Sequence, residues 1–489
     1  MLLVAAVSPL ILVVVLLLLF RRSAVEASFA GLLWAVATGV SMFGLSWSAT
    51  GESLLDGLDP ALRVVYVLST GLWLYQLLRR TGALERMAGT VERISPDPLR
   101  RVLFVVIVIA PFLEAVSGFG AGIVLAGPLI MALGYKGMQA GMLSLLTQNL
   151  VPWGAMAVGT TLGAEIAGVH PRQIGILSTL FAVPIFIYWS YAVAVTAAGW
   201  RQAVKQSWDV LLAAGLMLAG LSIANRFLTV EAACVFAGLA AAGGLGLIWR
   251  KGREKRLQPS FLSGESPVSL MKALVPYLVF LAMIAGTRLL NMIPLIADWF
   301  KNHPYLYSPG TAMLVACISV VPLFRMDGQE VRNSLRDTWK QVRPAALSTI
   351  GFVLMGMLLK DAGMIEIITG SMSIDGAVYL LAAPLIGGLG GWMTGSNAAA
   401  NAMWMHFQAG MARSLGMPTD VMASVQNTAA ANLTMASPSR VALGAAVAGI
   451  IGREGELLQK VLPLSLGVLG LVVVCSILFL AFGELWQNL

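Results

Sequence analysis

"PFLEAVSGFG", residues 111–120, places a carboxylate and several helix-breaking residues inside a stretch that is otherwise apolar enough to cross a lipid bilayer. Glu114 is followed closely by Ser117, Gly118 and Gly120. Irregular backbone at membrane depth is tolerated only where it is buried in protein or lines a cavity. Residues 101–134 could form two separate membrane spans or one re-entrant helical hairpin. The helix breakers favour the hairpin, with its tip near Gly118 to Gly120.

The composition of the chain is that of a membrane protein. Of its 489 residues, 58% are hydrophobic and only 11% are charged, and the mean hydropathy is +0.82. Soluble proteins carry about 25% charged residues. Apolar segments of about 20 residues, the length that spans a bilayer, recur throughout, and no polar stretch is long enough for a separate soluble domain. We therefore predict an all-α polytopic membrane protein, with no nucleic-acid partner, whose net charge of +8 comes largely from its loops.

Basic loops predict how the chain crosses the membrane. Segments 79–101, 250–256 and 325–343 are rich in Lys and Arg, and loops of this kind face the cytoplasm. A basic pair at 21–22 closes the first apolar segment, whereas the predicted loop 50–60 contains three acidic residues and no basic one. The pattern predicts that the N-terminus lies outside the cell.

Two pairs of motifs indicate an internal repeat. "LLRRTGALE" (77–85) matches "LLKDAGMIE" (358–366), and "LGAEIAG" (162–168) matches "LGAAVAG" (443–449), both at an offset of 281 positions. The basic loops predict that the helices leading into the first motif of each copy run in opposite directions, so we expect the copies to be inverted. Inverted repeats with broken helices near the bilayer midplane are typical of secondary transporters.

The repeat predicts how the chain is divided. Mixed apolar and charged segments at 79–95 and 360–375 are expected to form interfacial helices on opposite membrane faces. The tip of the second hairpin is expected at Gly395 to Asn397. The predicted parts are N-terminal transmembrane helices (1–60), a first repeat (61–199) with hairpin 101–134, connecting helices and loops (200–341), and an inverted second repeat (342–484) with hairpin 376–411.

Each copy combines a glycine-rich turn with a later polar dipeptide. Broken helices expose N-terminal N–H groups, which bind anions such as carboxylates, and uncharged polar side chains add hydrogen bonds. The alternative is that the amide side chains pair with each other and with freed backbone groups; Arg440 could likewise face the cytoplasm. We predict a site for a small organic anion formed by Ser117, Gly118, Gly120, Gln148, Asn149, Thr394, Gly395, Ser396, Asn397, Asn401, Gln426, Asn427, Ser437 and Arg440.

Two residues are candidates for carrying a coupling proton. Acidic residues within a membrane are functional candidates by default, and the alternative for Glu114 is an ion pair with an arginine. His406, in "NAMWMHFQAG", can titrate near neutral pH, although a lone histidine is more often structural. The sequence contains no recognisable metal-ligand cluster, cofactor motif or catalytic group, so we expect neither a metal, nor a cofactor, nor enzymatic activity.

Three longer stretches carry a resemblance to a known family. "FLEAVSGFGAGIVLAGPLIMALGY" (112–135), "GGWMTGSNAAANAMW" (390–404) and "NTAAANLTMASPSRVALGAAVAG" (427–449) resemble the bacterial L-lactate permease family. The resemblance implies a proton-coupled importer of lactate or a related 2-hydroxy monocarboxylate such as glycolate, in the bacterial inner membrane. The family's wider ion transporter superfamily implies two re-entrant hairpins and an elevator-like mechanism, and leaves a homodimer open.

The sequence departs from the pattern of that family at two positions. Asn397 stands where the family pattern has an acidic residue, and Thr434 stands where it has a lysine. Sodium coupling, or a dicarboxylate or sulfonate substrate on the same fold, is therefore the nearest alternative. An anion channel is a second class, which would not need inverted hairpins. A membrane-embedded enzyme is a third, and would need a catalytic cluster.

Overall fold

The computed structural model describes residues 1–20, 22–89, 95–118, 120–249, 268–371 and 375–481. Regular structure in those ranges is helical throughout. Eight of the described helices are long and apolar enough to cross a bilayer, which confirms the prediction of an all-α polytopic membrane protein. The chain is therefore a multi-pass membrane protein.

The N-terminal part begins with an antiparallel helical pair followed by a very long helix. The second helix is closed at its start by a capping box, in which Ser23 and Glu26 each accept a backbone N–H from the other. The third helix starts at the cap Ser46 and continues through Pro60. The elements are α1 (Leu2–Leu18), α2 (Ala24–Met42), α3 (Trp47–Arg80) and α4 (Ala83–Gly89).

Short broken helices follow, and they include the first glycine turn. Gly118 and Gly120 have φ of +67° and +82°, a backbone region that glycine adopts without steric cost. A side chain at position 118 would also collide with Ala155. The elements are α5 (Pro98–Leu103), a π-helical segment (Phe104–Ile109), α6 (Ala110–Ser117), α7 (Ala121–Ala132), α8 (Gly137–Leu145), a 3₁₀ turn (Val151–Trp153), α9 (Gly154–Ala167), α10 (Pro171–Ala198) and α11 (Trp200–Lys205).

The first turn of α9 is left-handed. Ala155, Met156 and Ala157 have φ of 48°, 57° and 55°, and each left-handed residue with a side chain costs about 1–2 kcal/mol. Such strain persists only where the surrounding structure enforces it, and it clusters at functional sites.

The middle of the chain adds helices that pack around this broken region. Helix α13 packs against both α6 and α9, and α14 packs against α17 and α4. The elements are α12 (Ser207–Phe227), α13 (Val230–Trp249), α14 (Leu270–Leu290), α15 (Pro294–Asn302), α16 (Pro304–Tyr307) and α17 (Pro309–Phe324).

The last part repeats the order of long, short, broken and long helices. Its second glycine turn lies between α20 and α21, where Gly395 has a φ of +64°. Helices α21 and α22 are buried along most of their length. The elements are α18 (Gly328–Asp361), α19 (Met364–Ser371), α20 (Gly376–Thr394), α21 (Asn397–Ser414), α22 (Thr419–Leu433), a 3₁₀ turn (Thr434–Ala436), α23 (Pro438–Val447) and α24 (Glu454–Ala481).

Helices α3 and α18 correspond in length and position. Each has 34 residues, and both ends are offset by the 281 positions that relate the sequence motifs, from 47 to 328 and from 80 to 361. The two helices also pack against each other. The inversion of the two copies stays a prediction.

Two segments predicted as loops are helical. Residues 50–60 form the N-terminal part of α3, and most of 325–343 forms that of α18. Strong N-terminal caps at Ser46 and Asp327 start each helix early, and neither Pro60 nor Pro344 ends it. The predicted boundaries after 60 and 341 therefore fall inside continuous helices. The predicted interfacial segments include α4 and α19, while their residues 90–94 and 372–374 lie outside the described part.

Candidate functional site

A cavity of about 370 Å³ lies where the two glycine turns approach each other. Its wall is formed by parts of α2, α3, α9, α18 and α23, together with both turns. Sequence reasoning missed Ser23, Gln341 and Ser348 in this wall, because they are distant in sequence from the glycine turns and belong to no motif. The wall residues that the sequence did predict are Glu114, Gly118, Thr394, Gly395, Ser396, Asn397 and Arg440.

Glu114 is held by the first turn. Its Oε1 accepts the N–H of Gly120 at 3.1 Å, and its Oε2 accepts the N–H of Gly122 at 2.9 Å. These N–H groups belong to the start of α7, the kind of position that binds anions. In this conformation the first turn therefore holds the chain's own carboxylate where the sequence predicted the carboxylate of a substrate.

Arg440 joins the two turns. Its Nη1 donates to Oε1 of Gln148 at 3.0 Å and lies 3.5 Å from Oε1 of Glu114, and its Nε donates to the carbonyl of Gly395 at 3.3 Å. Only 8% of the residue is exposed. The backbone N–H of Arg440 donates to the Ser437 hydroxyl, which caps α23. Arg440 is thus a buried cation in the cavity wall, and it forms the ion pair that was the alternative role of Glu114.

The amide side chains of the second copy form a network behind the wall. Oδ1 of Asn427 accepts hydrogen bonds from Oγ1 of Thr160 at 3.1 Å, from Nδ2 of Asn397 at 2.9 Å and from Nδ2 of Asn401 at 2.9 Å. Of these residues only Asn397 lines the cavity. Asn401 and Asn427, predicted to contact substrate, lie behind the cavity wall. They hydrogen-bond to each other there, which is the alternative role considered for these amides.

The network continues away from the cavity. Gln426 donates to Oδ1 of Asn401, Gln408 donates to Oε1 of Gln426, and the Tyr379 hydroxyl donates to Oε1 of Gln408. Sequence reasoning missed Gln408 and Tyr379, which are separated from the motifs in sequence and meet them only through helix packing. The network ties α20, α21 and α22 together.

Gln148 and Asn149 lie in the irregular turn between α8 and the following 3₁₀ segment. Asn149 donates to the carbonyls of Leu146 at 2.8 Å and Val106 at 3.2 Å, so it supports the π-helical segment. Gln148 reaches the site through Arg440. Neither residue lines the cavity itself.

The predicted hydroxyl groups mostly stabilise backbone. Oγ of Ser396 accepts the N–H of Ala399 and thereby caps α21, and Oγ1 of Thr394 accepts the N–H of Ser396. Ser437 caps α23. Ser117 ends α6, and its side chain lies outside the described part.

His406 is separated from the cavity. It is buried on α21 against Gly356 of α18, and within the described part of the chain its Nε2 has no hydrogen-bond partner. It does not line the cavity that contains Glu114. The structure therefore brings only one of the two proton-carrier candidates to the cavity.

A larger cavity, of about 700 Å³, lies on the other side of α9. Its charged lining includes Arg63, which forms ion pairs with Asp59 at 2.6 Å and with Glu165 at 2.8 Å. Val158, the residue after the left-handed turn, lines both cavities. The start of α9 is therefore part of the partition between them. We call the smaller cavity the inner cavity and the larger one the outer cavity.

A multi-pass helical architecture with two cavities separated in part by the start of α9, one of them lined by a buried ion pair, is typical of membrane transport proteins. The model of the L-lactate permease family matches residues 2–303 and 299–482. The chain therefore belongs to the L-lactate permease family, which consists of permeases and not of enzymes.

Named relatives agree with this assignment. The L-lactate permease of Escherichia coli K12 is 22% identical over 448 residues, which cover 81% of this chain and 80% of the relative. The glycolate permease GlcA of the same strain is 22% identical over 489 residues, covering 88% and 86%. The L-lactate permease of Streptococcus iniae is 23% identical over 438 residues, covering 85% and 91%.

A solved structure shares the fold. The YdaH transporter of Alcanivorax borkumensis superposes with a TM-score of 0.50 at 15% sequence identity, covering 90% of each chain. At this identity the likeness concerns the fold alone.

Proposed function

We propose that this protein imports lactate or a related 2-hydroxy monocarboxylate such as glycolate, by proton symport through alternating access. The family and the substrates in the names of its relatives support the substrate class. The observation that carries the proposal is Arg440, a buried cation in the wall of a cavity large enough for a small acid.

The substrate carboxylate binds Arg440 in this proposal. Arginine forms strong, geometrically specific bonds with carboxylates. Helices α21 and α23 both begin at the cavity wall, near Ser396 and Ser439, and their N-terminal dipoles favour an anion there. Gln148 and Gly395 hold the guanidinium in place by accepting two of its hydrogen bonds.

Glu114 couples the proton to the substrate. Glu114 and the substrate carboxylate compete for the same guanidinium, so protonation of Glu114 frees Arg440 for the substrate. The charged group facing Glu114 is Arg440 on α23, and the titratable Cys234 on α13 lies close enough to interact electrostatically with it. One proton with one monocarboxylate makes the transported unit neutral, which avoids about 2.3 kcal/mol per charge per 100 mV of membrane potential.

The two cavities serve opposite membrane faces in this mechanism. The inner cavity includes Ser23, next to the basic pair 21–22, and Gln341, in the basic segment 325–343, so the positive-inside rule assigns it to the cytoplasm. In this proposal the protein lies in the bacterial inner membrane, and its N-terminus is on the side opposite the cytoplasm. Inverted repeats and elevator-like movement of the hairpins relative to α3 and α18 complete the proposal.

Uptake by purified protein in liposomes tests this function. We expect an inward proton gradient to drive accumulation of labelled L-lactate and glycolate, with no stimulation by a sodium gradient. Accumulation driven only by a sodium gradient would show that sodium, not the proton, is the coupling ion. A preference for dicarboxylates or sulfonates would show that the proposed substrate class is wrong. Flux that never exceeds equilibrium under a proton gradient would identify a channel.

A further inference from the structure

Asn397 is the one carboxamide of the network that belongs to the wall of the inner cavity. It is the first residue of α21, directly after the second glycine turn, and only 6% of it is exposed. Its Nδ2 donates to Asn427, but its Oδ1 has no hydrogen-bond partner among the residues that the structure describes. A buried acceptor without a donor is unfavourable, and in native proteins such an atom is a candidate for a functional role.

The orientation of this amide follows from a backbone group. The carbonyl of Gly159 can only accept, and it accepts from Asn401 at 2.9 Å, so the atom of Asn401 on that side is the nitrogen. The same nitrogen donates to Asn427 at 2.9 Å. Asn427 must therefore present its oxygen to this cluster.

The orientation of Asn427 then determines that of Asn397. Since Oδ1 of Asn427 accepts, the atom of Asn397 that faces it must be Nδ2. Turning the Asn397 amide over would bring two oxygens together and lose the bond. The unpaired atom of Asn397 is consequently an acceptor, buried in this conformation, which a hydrogen-bond donor would satisfy.

Asn397 also lies close to the proposed carboxylate site. Gly395, two residues earlier, accepts the Nε of Arg440 through its carbonyl. A 2-hydroxy acid carries its carboxylate and its hydroxyl on adjacent carbons, so the two groups are separated by a short distance. A carboxylate alone offers only acceptors and leaves Oδ1 of Asn397 unpaired.

We propose that Asn397 is the specificity residue that recognises the 2-hydroxyl group of the substrate, by accepting a hydrogen bond from it at Oδ1. The inference rests on the proposed function, in which Arg440 holds the carboxylate. It separates 2-hydroxy acids from acids of the same carbon skeleton that lack the hydroxyl. A site with a buried polar group discriminates against such analogues because that group then stays unpaired.

Competition by unlabelled acids for labelled L-lactate uptake in proteoliposomes measures this preference. The two competitors are L-lactate and propionate, which differ only in the 2-hydroxyl. For the unmodified protein we expect lactate to compete roughly tenfold better, the value of one hydrogen bond at the upper end of the usual range. Equal competition by the two acids would overturn the inference and leave the proposed function standing.

Two variants of Asn397 and one matched control localise the effect. Asn397→Ala removes the acceptor and should bring the two acids to within about two- to threefold of each other. Asn397→Asp keeps an acceptor oxygen but sets its second oxygen against Oδ1 of Asn427, so it should weaken both acids through this repulsion and its charge while it retains the preference. Asn333→Ala removes a carboxamide at the surface of α18, where Asn333 accepts a hydrogen bond from Gln329, and it should also retain the preference.

The outcomes separate the inference from the proposed function. A preference that persists in a folded Asn397→Ala variant, or is lost equally in Asn333→Ala, would assign hydroxyl recognition to another group. If Asn397→Ala does not fold, the Asn397→Asp variant and the unmodified protein still carry the test. No lactate uptake by the unmodified protein would overturn the proposed function itself.

Discussion

Nη1 of Arg440 lies 3.5 Å from Oε1 of Glu114, and this contact joins a helix turn of the first half of the chain to a helix start of the second half. Both side chains are almost completely buried. Removing one partner of a buried pair leaves an uncompensated charge, whereas an exposed pair contributes little. A ligand that displaces Glu114 from Arg440 must therefore supply the same charge, or Glu114 must be neutralised.

Arg440→Lys should weaken lactate uptake by about tenfold or more. Lysine keeps the positive charge but cannot reproduce the simultaneous bonds to Gln148 and Gly395, and each hydrogen bond to a charged group contributes about 1.5–3 kcal/mol. The apparent affinity in proteoliposomes measures the loss. Arg453→Lys is the control, because Arg453 pairs with Glu456 at the surface. Equal uptake by the two variants would show that Arg440 does not bind the substrate.

Glu114→Gln should abolish accumulation driven by a pH gradient while leaving exchange of substrate for substrate. Glutamine has a similar shape to glutamate, but its side chain does not ionise at physiological pH. In the unmodified protein we expect uptake to rise as the external pH falls, since the proposed symport takes up one proton with each substrate molecule. The variant should show a flat pH profile.

Glu165→Gln provides the matched carboxylate control for that experiment. Glu165 pairs with Arg63 at 2.8 Å in the outer cavity, away from Arg440. It should keep the pH dependence of uptake. Normal uphill uptake by Glu114→Gln would make Glu114 a structural carboxylate and require another proton path.

Asn427→Ala should destabilise the protein by about 1–3 kcal/mol, because it leaves a buried amide hydrogen of Asn397 and one of Asn401 without their acceptor. Thermal unfolding in detergent measures the change. Asn291→Ala, in the wall of the outer cavity, should leave the melting temperature nearly unchanged. Equal melting temperatures for the two variants would contradict the central role of Asn427.

Cysteine labelling tests the orientation of the two cavities. In a protein whose three native cysteines are replaced, Ser348→Cys in the inner cavity should react with a membrane-impermeant thiol reagent from the cytoplasmic side. Thr161→Cys in the outer cavity should react from the opposite side. Right-side-out and inside-out vesicles distinguish the two. Labelling of both positions from one face would contradict the assignment of the cavities to opposite sides.

Helix-breaking residues account for much of what the sequence predicts correctly. The glycines at 118 and 120, and the glycine at 395, have positive φ because a turn requires it, and a turn of this kind is visible in a sequence. The repeat stays a prediction, supported by helices α3 and α18, which have equal length and the same offset as the sequence motifs. Glu114 and Arg440 stood out because charges are rare in membrane segments.

Contacts between distant segments could not be predicted in the same way. Nothing in the sequence pairs Arg440 with Gln148, or directs Asn401 toward Gly159, because such partners are chosen by how helices pack. The wall residue Gln341 comes from a segment, 325–343, whose charge predicted a loop. This segment is helical because Asp327 caps it strongly and Pro344 does not end the helix. The charge of the segment alone does not predict that outcome.

The left-handed turn at Ala155, Met156 and Ala157 reverses the usual effect of glycine on a helix. Glycine normally destabilises a helix interior by about 0.5–1 kcal/mol relative to alanine. Here each residue with a side chain bears about 1–2 kcal/mol of left-handed cost, so Ala157→Gly, at a φ of 55°, should raise the melting temperature. Evolutionary drift toward glycine at this partition would thus yield a more heat-resistant protein, and the presence of alanine and methionine there leaves room for engineering stability without touching Arg440.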